Sequence, residues 1–350
     1  MSASKIAVCV CMLASAVVRA DEPAFDPTAI AREAIGRVRT MALRTRAVDW
    51  PALETRVLAA AIGAKDKIDL LPAFFILLDG LGDGHSFVGV HQSVRTAFKE
   101  RYGREFDSGR KRRGMTSEFM GRQDPFTRPL AIGPRQATLV VVRSGGGMGG
   151  QNTLDYASHL FGAIAAAAPS SCGYVVDVRG NTGGNIWPML GGVSALLGDE
   201  VVQYGIDRDG QRALVFHLRQ GAALITREGK ETEMLRVPGW RALPGLDQRP
   251  VAVLTDDASA SSGEGIAIAF HGRPHTRSFG QTTYGSATSN QNFELAGVGL
   301  FVTTHEMADR QGTVFPRGVA PDVAAPTGPA ATQGDDPVLR AAQAWLASQA

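Results

Sequence analysis

Apolar positions along the chain fall into two textures. From residue 26 to 78 they recur at helical spacing: Ile30, Ala34, Val38 and Met41 form one stripe, and Asp26-Pro27 supplies an N-cap followed by a first-turn proline. Asp49-Trp50-Pro51 opens a second helix, and a third covers 70–78 and stops at Asp79-Gly80. The turn-rich Gly82-Asp83-Gly84-His85-Ser86 follows at once. After Ala137 the texture changes: apolar runs at 139–142, 174–178, 251–254 and 300–303 alternate with helical stretches at 154–168, 189–197 and 266–270. Such alternation predicts an α/β domain, and no fixed-period repeat is present.

Three stretches break the pattern. Between 95 and 135 the chain is polar and basic, with Lys99, Arg101, Arg104, Arg110, Lys111, Arg112 and Arg113 interrupted by Glu100, Glu105 and Asp107. It reads as a surface excursion, either a solvated loop or helix or a cap that guides an anionic group or a C-terminal carboxylate. A charged, irregular insertion surrounds 227–236, and a tail rich in Ala, Pro and Gly from 324 leads to a last helix over 337–348 with Leu339, Ala342 and Leu346 inward. That helix either docks on the body or frays. The expected organisation is a leader at 1–20, a helical unit at 21–90, the basic excursion at 91–136, a catalytic α/β domain at 137–326 and a tail with its helix at 327–350.

Composition narrows the class. The chain is 44% hydrophobic and 20% charged over 350 residues, which is globular rather than disordered. Its net charge of +2 contains Lys5 and Arg19 of the leader, so the remainder is balanced and no nucleic-acid partner is expected. The leader itself has a basic start, an apolar run over 6–18 that is too short to span a bilayer, and Val18-Arg19-Ala20 before Asp21-Glu22. These features predict a signal peptide cleaved after Ala20, a periplasmic or secreted protein, and no stable membrane insertion afterwards. Cys9 and Cys11 lie within the leader, so Cys172 is left without a disulfide partner and reads as a small thiol packed at a strand entrance. Neither cysteine nor histidine spacing supports a metal site. Ser144-Gly145-Gly146-Gly147-Met148-Gly149-Gly150 lacks the Lys-Ser/Thr of a phosphate loop and reads as a flexible loop, while Phe74, Phe75, Leu77 and Trp187 read as core.

Chemistry concentrates in three segments. Asp83-Gly84-His85-Ser86 presents an imidazole on a loop, as a general base or as a structural histidine. Asp177-Val178-Arg179-Gly180-Asn181-Thr182-Gly183-Gly184 follows an apolar strand and precedes a helix near Ile186; it is either a plain strand-to-helix turn or a backbone cradle for an oxyanion. In Asp256-Asp257-Ala258-Ser259-Ala260-Ser261-Ser262-Gly263-Glu264 a strand delivers a serine to a helix start, with Ser261 and Glu264 on one face. A capping box explains that last pair as well as catalysis does.

Taken in order with the turn Gly280-Gln281-Thr282-Thr283-Tyr284-Gly285 and the late Gly318-Val319-Ala320-Pro321-Asp322, these segments resemble the C-terminal processing, or tail-specific, serine peptidases over roughly 78–323. The resemblance implies a crotonase-like α/β catalytic domain with a small helical N-terminal domain. It implies Ser261 as nucleophile, Glu264 as its polar support, and an oxyanion hole from the N–H groups of Gly183 and Ser262. In the family the base is a lysine just past the TFG-like turn, but Ser286 stands there. The resemblance is therefore to the branch of the nisin resistance protein and the tricorn core protease, where the histidine of the DGHS-like turn serves, here His85. Glu264, Asp83 and Asp309 are the candidates to orient it. Only about fifty residues separate Ser86 from Ala137, too few for an inserted PDZ domain, so peptide capture is expected from the body itself. The expected function is a secreted or periplasmic serine endopeptidase acting on a peptide or protein substrate without cofactor or metal. The alternatives are a non-catalytic peptide- or lipid-binding protein on the same fold, or a small-ester hydrolase.

Overall fold

The computed structural model describes residues 25–107, 124–145, 151–325 and 336–349. The leader, the centre of the basic excursion, most of the glycine run and the start of the C-terminal tail lie outside the described residues.

Helices α1 (Pro27–Met41), α2 (Trp50–Ala61) and α3 (Lys67–Asp79) begin where an aspartate accepts first-turn N–H groups: Asp26 from Thr28 and Ala29, Asp49 from Ala52, and Asp66 from Ile68 and Asp69. Their apolar faces do not close a core alone. Phe74, Leu77 and Val57 pack with Val298, Leu300 and Val302 of β12 (Val298–Ala308), which pairs antiparallel with β11 (Thr288–Leu295) and β1 (Phe87–Gly89). Strand β1 follows His85 by two residues, so the DGHS turn is held between the helical unit and this sheet.

The sheet continues from β12 through β5 (Val201–Ile206), β6 (Arg212–Arg219), β7 (Ala222–Arg227) and β8 (Lys230–Arg236), all antiparallel. The charged stretch around 227–236 is thus a hairpin rather than an irregular insertion. Its Lys230, Glu231 and Glu233 are exposed on an edge strand, where charge deters edge-to-edge pairing and hides the strand signal. The basic excursion also contains regular structure: α4 (Gln92–Tyr102) buries Val94 and Phe98 against the helical unit, and β2 (Phe126–Ile132) is the edge of the second sheet. Within α4, Lys99 and Arg101 lie on the exposed face of an amphipathic helix, with Arg101 paired to Asp66 and Asp69.

The second sheet runs β13 (Val323–Ala324), β10 (Thr276–Gly280), β9 (Val251–Thr255), β4 (Tyr174–Asp177), β3 (Arg135–Val141) and β2, parallel except for the β2–β3 pair. Its central strands are buried on both faces, which is why they read as unbroken apolar runs. Val176 and Val253 face one cluster with α5 (Gln151–Ala167), α6 (Ile186–Leu197) and α7 (Ser262–Phe270). Val175, Ala252 and Leu254 face another that is closed by α8 (Pro337–Ala347) through Val338, Leu339, Ala342 and Leu346. The C-terminal helix is therefore docked, and half-buried Cys172 packs beside it.

Candidate active site

The carboxyl ends of β4 and β9 are adjacent in the parallel sheet, the usual place for a site in such folds. Each strand breaks there into a tight turn and then a helix. After β9, Asp256 accepts from the N–H of Gly180 and from both the N–H and hydroxyl of Ser259, binding the two turns together. Burial pushes the Asp256 carboxyl up, against these hydrogen bonds. Ala260 N–H donates to Asn181 O at 2.9 Å, and the Ser262 hydroxyl donates to Gly184 O at 2.7 Å. An added Cβ on Gly263 would lie 2.3 Å from Asn181 O, so only glycine allows the helix to approach this closely.

Ser261 sits at the N-cap of α7 with φ 55° and ψ −118°, a strained conformation for a residue with a Cβ. Its hydroxyl end lies against Gly183: a Cβ on that glycine would stand 2.7 Å from Ser261 Cβ and 3.1 Å from its Oγ. The RGNTGG turn and the serine are thus in contact. The Gly183 N–H is engaged, however, donating to Asn181 Oδ1 at 3.0 Å. As the first residue of α7, Ser262 presents an N–H that has no carbonyl to meet within its own helix.

Glu264 is fully buried and accepts four hydrogen bonds. Its Oε2 takes the N–H groups of Ser261 and Ser286, and its Oε1 the Thr283 hydroxyl and the Gly285 N–H, all between 2.7 and 2.9 Å. Burial pushes its carboxyl up, opposed by these donors. The GVAPD segment joins the same framework, with Thr283 N–H donating to Val319 O and Val319 N–H to Thr283 Oγ1. Asp322 holds the N–H and hydroxyl of Ser278 on β10.

His85 is 4% exposed and its backbone is clamped on both sides: its N–H donates to Asp83 Oδ1, and its carbonyl accepts from Asn290 Nδ2 at 3.0 Å. Its Nδ1 lies 2.7 Å from Thr288 Oγ1. Thr288 N–H in turn donates to Ser286 O, the residue that Glu264 holds. The segment from Gly285 to Thr288 therefore ties the histidine turn to the serine turn. Beside it opens a cleft lined by Arg44, Asp83, Ser286, Thr288, Glu306 and Phe315.

The three carboxylates considered as partners of His85 have other commitments. Asp83 spends its oxygens on the turn itself, accepting from His85 N–H, Ser86 N–H and the Ser86 hydroxyl. Glu264 serves the backbone of the serine turn. Asp309 is paired with His271 at 2.8 Å and accepts from Gln311 and Thr313 N–H groups. Thr288 escaped sequence reading because a threonine at a strand start carries no spacing signal; Asn181 and Asp256 lay within the flagged segments without a role. In the glycine run, Ser144 accepts the Thr182 N–H and Gly145 bridges Gly184, so its described part is built into the turn. Among the described residues no group of His, Cys, Asp or Glu is arranged to hold a metal ion, and no helix is long and apolar enough to cross a membrane.

The nisin-resistance protein of Lactococcus lactis subsp. lactis is 24% identical over 300 residues, which cover 85% of this chain and 83% of that protein. A lipoprotein structure from Streptococcus agalactiae superposes with a TM-score of 0.67 at 20% identity, covering 95% of this chain and 99% of its own. The photosystem II D1 C-terminal processing protease superposes with a TM-score of 0.56 at 16% identity, over 86% and 94% of the two chains. Both superpositions speak to the fold, a mixed α/β architecture of the tail-specific protease type. Residues 147–325, just over half of the chain, match the model of peptidase family S41, and the chain belongs to that family.

Proposed function

We propose that the protein is a secreted or periplasmic serine endopeptidase that cleaves peptides through an acyl-enzyme on Ser261, with His85 as general base. The observation that supports this best is the strained serine at the α7 N-terminus, packed on Gly183 and tied through residues 285–288 to the histidine turn. In the proposed reaction the Ser261 Oγ attacks the scissile carbonyl while His85 takes its proton, and the imidazolium returns that proton to the leaving amine. Water then attacks the ester with the same histidine as base.

Charge that develops on the carbonyl oxygen would meet the Ser262 N–H, the positive end of α7, and the Gly183 N–H once it turns from Asn181 Oδ1. That engaged N–H favours a second reading, a peptide-binding protein that does not turn over. The signal peptide expected at 1–20 supports a periplasmic or secreted location, and the lipoprotein relative fits a cell-envelope location. The name of the nisin-resistance relative makes nisin one peptide to include among substrates.

The test is mass spectrometry of a diverse peptide mixture, nisin included, incubated with the leader-free protein and with Ser261→Ala in parallel. Cleavage by the parent alone supports a peptidase. Capture of peptides without cleavage by either, with both shown folded, supports the binding reading. Turnover of small esters without peptide cleavage supports an ester hydrolase.

A further inference from the structure

We propose that Thr288 is the positioning residue of His85: its neutral hydroxyl, bonded to Nδ1, aims the imidazole. The inference rests on the Ser261/His85 reading above. Three observations carry it. The Nδ1–Oγ1 distance of 2.7 Å is a full hydrogen bond to a buried ring. Thr288 is itself fixed, at the first register position of β11 opposite Glu306 and with its N–H on Ser286 O at 2.7 Å. Finally, Ser286 and Ser261 donate to the same Glu264 oxygen, so ring and nucleophile are referenced to one rigid group.

When Nδ1–H donates to the hydroxyl, Nε2 becomes the nitrogen that takes a proton, which is the tautomer a general base needs. A carboxylate in that place would also stabilise the imidazolium by charge and raise its titration midpoint. A hydroxyl orients without adding that charge. Among the described residues, the charged groups facing this region include Asp83 on the histidine's own turn, Glu264 behind residues 285–286, and Arg44 and Glu306 across the cleft.

The experiment compares Thr288→Val, Thr288→Ser and Thr288→Asp with the parent in the leader-free protein. Its readouts are kcat and KM on a cleaved peptide, the rate of Ser261 labelling by a fluorophosphonate, and the His85 ring-nitrogen NMR signals through a pH titration. Valine should lower kcat by about 10- to 100-fold with KM nearly unchanged, a part of what a general base contributes, and serine should restore most of it. Aspartate should move both the acid limb of the rate profile and the His85 midpoint upward by about one unit or more. Valine matching the parent, serine as damaging as valine, or an unmoved midpoint with aspartate would each overturn the assignment. Should the parent neither cleave nor label, the peptidase reading fails by itself. The ring-nitrogen signals then still decide: a pattern changed by valine and kept by serine upholds Thr288, and an identical pattern in all three removes it.

Discussion

Glu264 offers the sharpest quantitative test of how the serine turn is built. Its carboxylate meets four donors and no acceptor: Ser261 and Ser286 N–H on Oε2, the Thr283 hydroxyl and Gly285 N–H on Oε1. Glu264→Gln keeps the shape but replaces one oxygen with a donor. With the amide oxygen kept toward Ser261 and Ser286, the new NH2 faces Thr283 Oγ1, which already accepts from Val319 and can accept again. The Gly285 N–H and the Thr283 hydroxyl hydrogen, both donors to Oε1, then lose their acceptor. A buried unpaired donor costs about 1–3 kcal/mol, and relief from burying a charge offsets part of the cost of the two, which places the glutamine variant at about 2–3 kcal/mol. Glu264→Ala strips all four donors and leaves a cavity, so it should cost about 4 kcal/mol or more. Urea denaturation at neutral pH, followed by tryptophan fluorescence, measures both. The glutamine variant should also retain most Ser261 labelling, because the bond to Ser261 N–H survives. An alanine variant within about 1 kcal/mol of the parent, or a glutamine variant as unstable as alanine, would show that Glu264 is not the hub of this turn.

Three further outcomes follow from the same structure. Ser261 is held at φ 55°, which costs a residue with a Cβ about 1–3 kcal/mol, so Ser261→Gly should be more stable than Ser261→Ala although both are inactive; thermal denaturation showing alanine equal or better would remove the strain. Asp336 caps α8 at Leu339 N–H and pairs with Arg179, which also holds Asp177, so Asp336→Ala, which removes both the cap and the pair, should cost about 2–3 kcal/mol and release Trp345 fluorescence before the main transition; a change below half a kilocalorie would contradict this. His305 is buried and, with Arg227 nearby, its pKa is lowered from 6.5 to about 4, so the neutral ring is the one that fits. Stability is full above pH 6.5 and falls as the unfolded chain alone takes up the proton, by about 3 kcal/mol at pH 4. His305→Asn should flatten that part of the acid profile, and parallel curves for variant and parent would refute it.

Local chemistry already wrote much of this molecule into its sequence. Asp26, Asp49 and Asp66 stand at helix starts because a short carboxylate satisfies first-turn N–H groups, and β4 and β9 read as strands because both of their faces meet apolar neighbours. The order of the DGHS, RGNTGG and SASSGE segments likewise marked which turns to watch. What the one-dimensional pattern could not carry were the edge strands β8 and β2, since their apolar alternation is diluted by exposed positions. Nor could it give the partner of His85. Hydrogen-bonding partners more than two hundred residues apart are chosen by strand register alone, and the fold brings Thr288 to the imidazole while Asp309 goes to His271. The strain at Ser261 is of the same kind: a serine never demands a positive φ, and only the surrounding contacts to Glu264, Gly183 and Asn181 impose it.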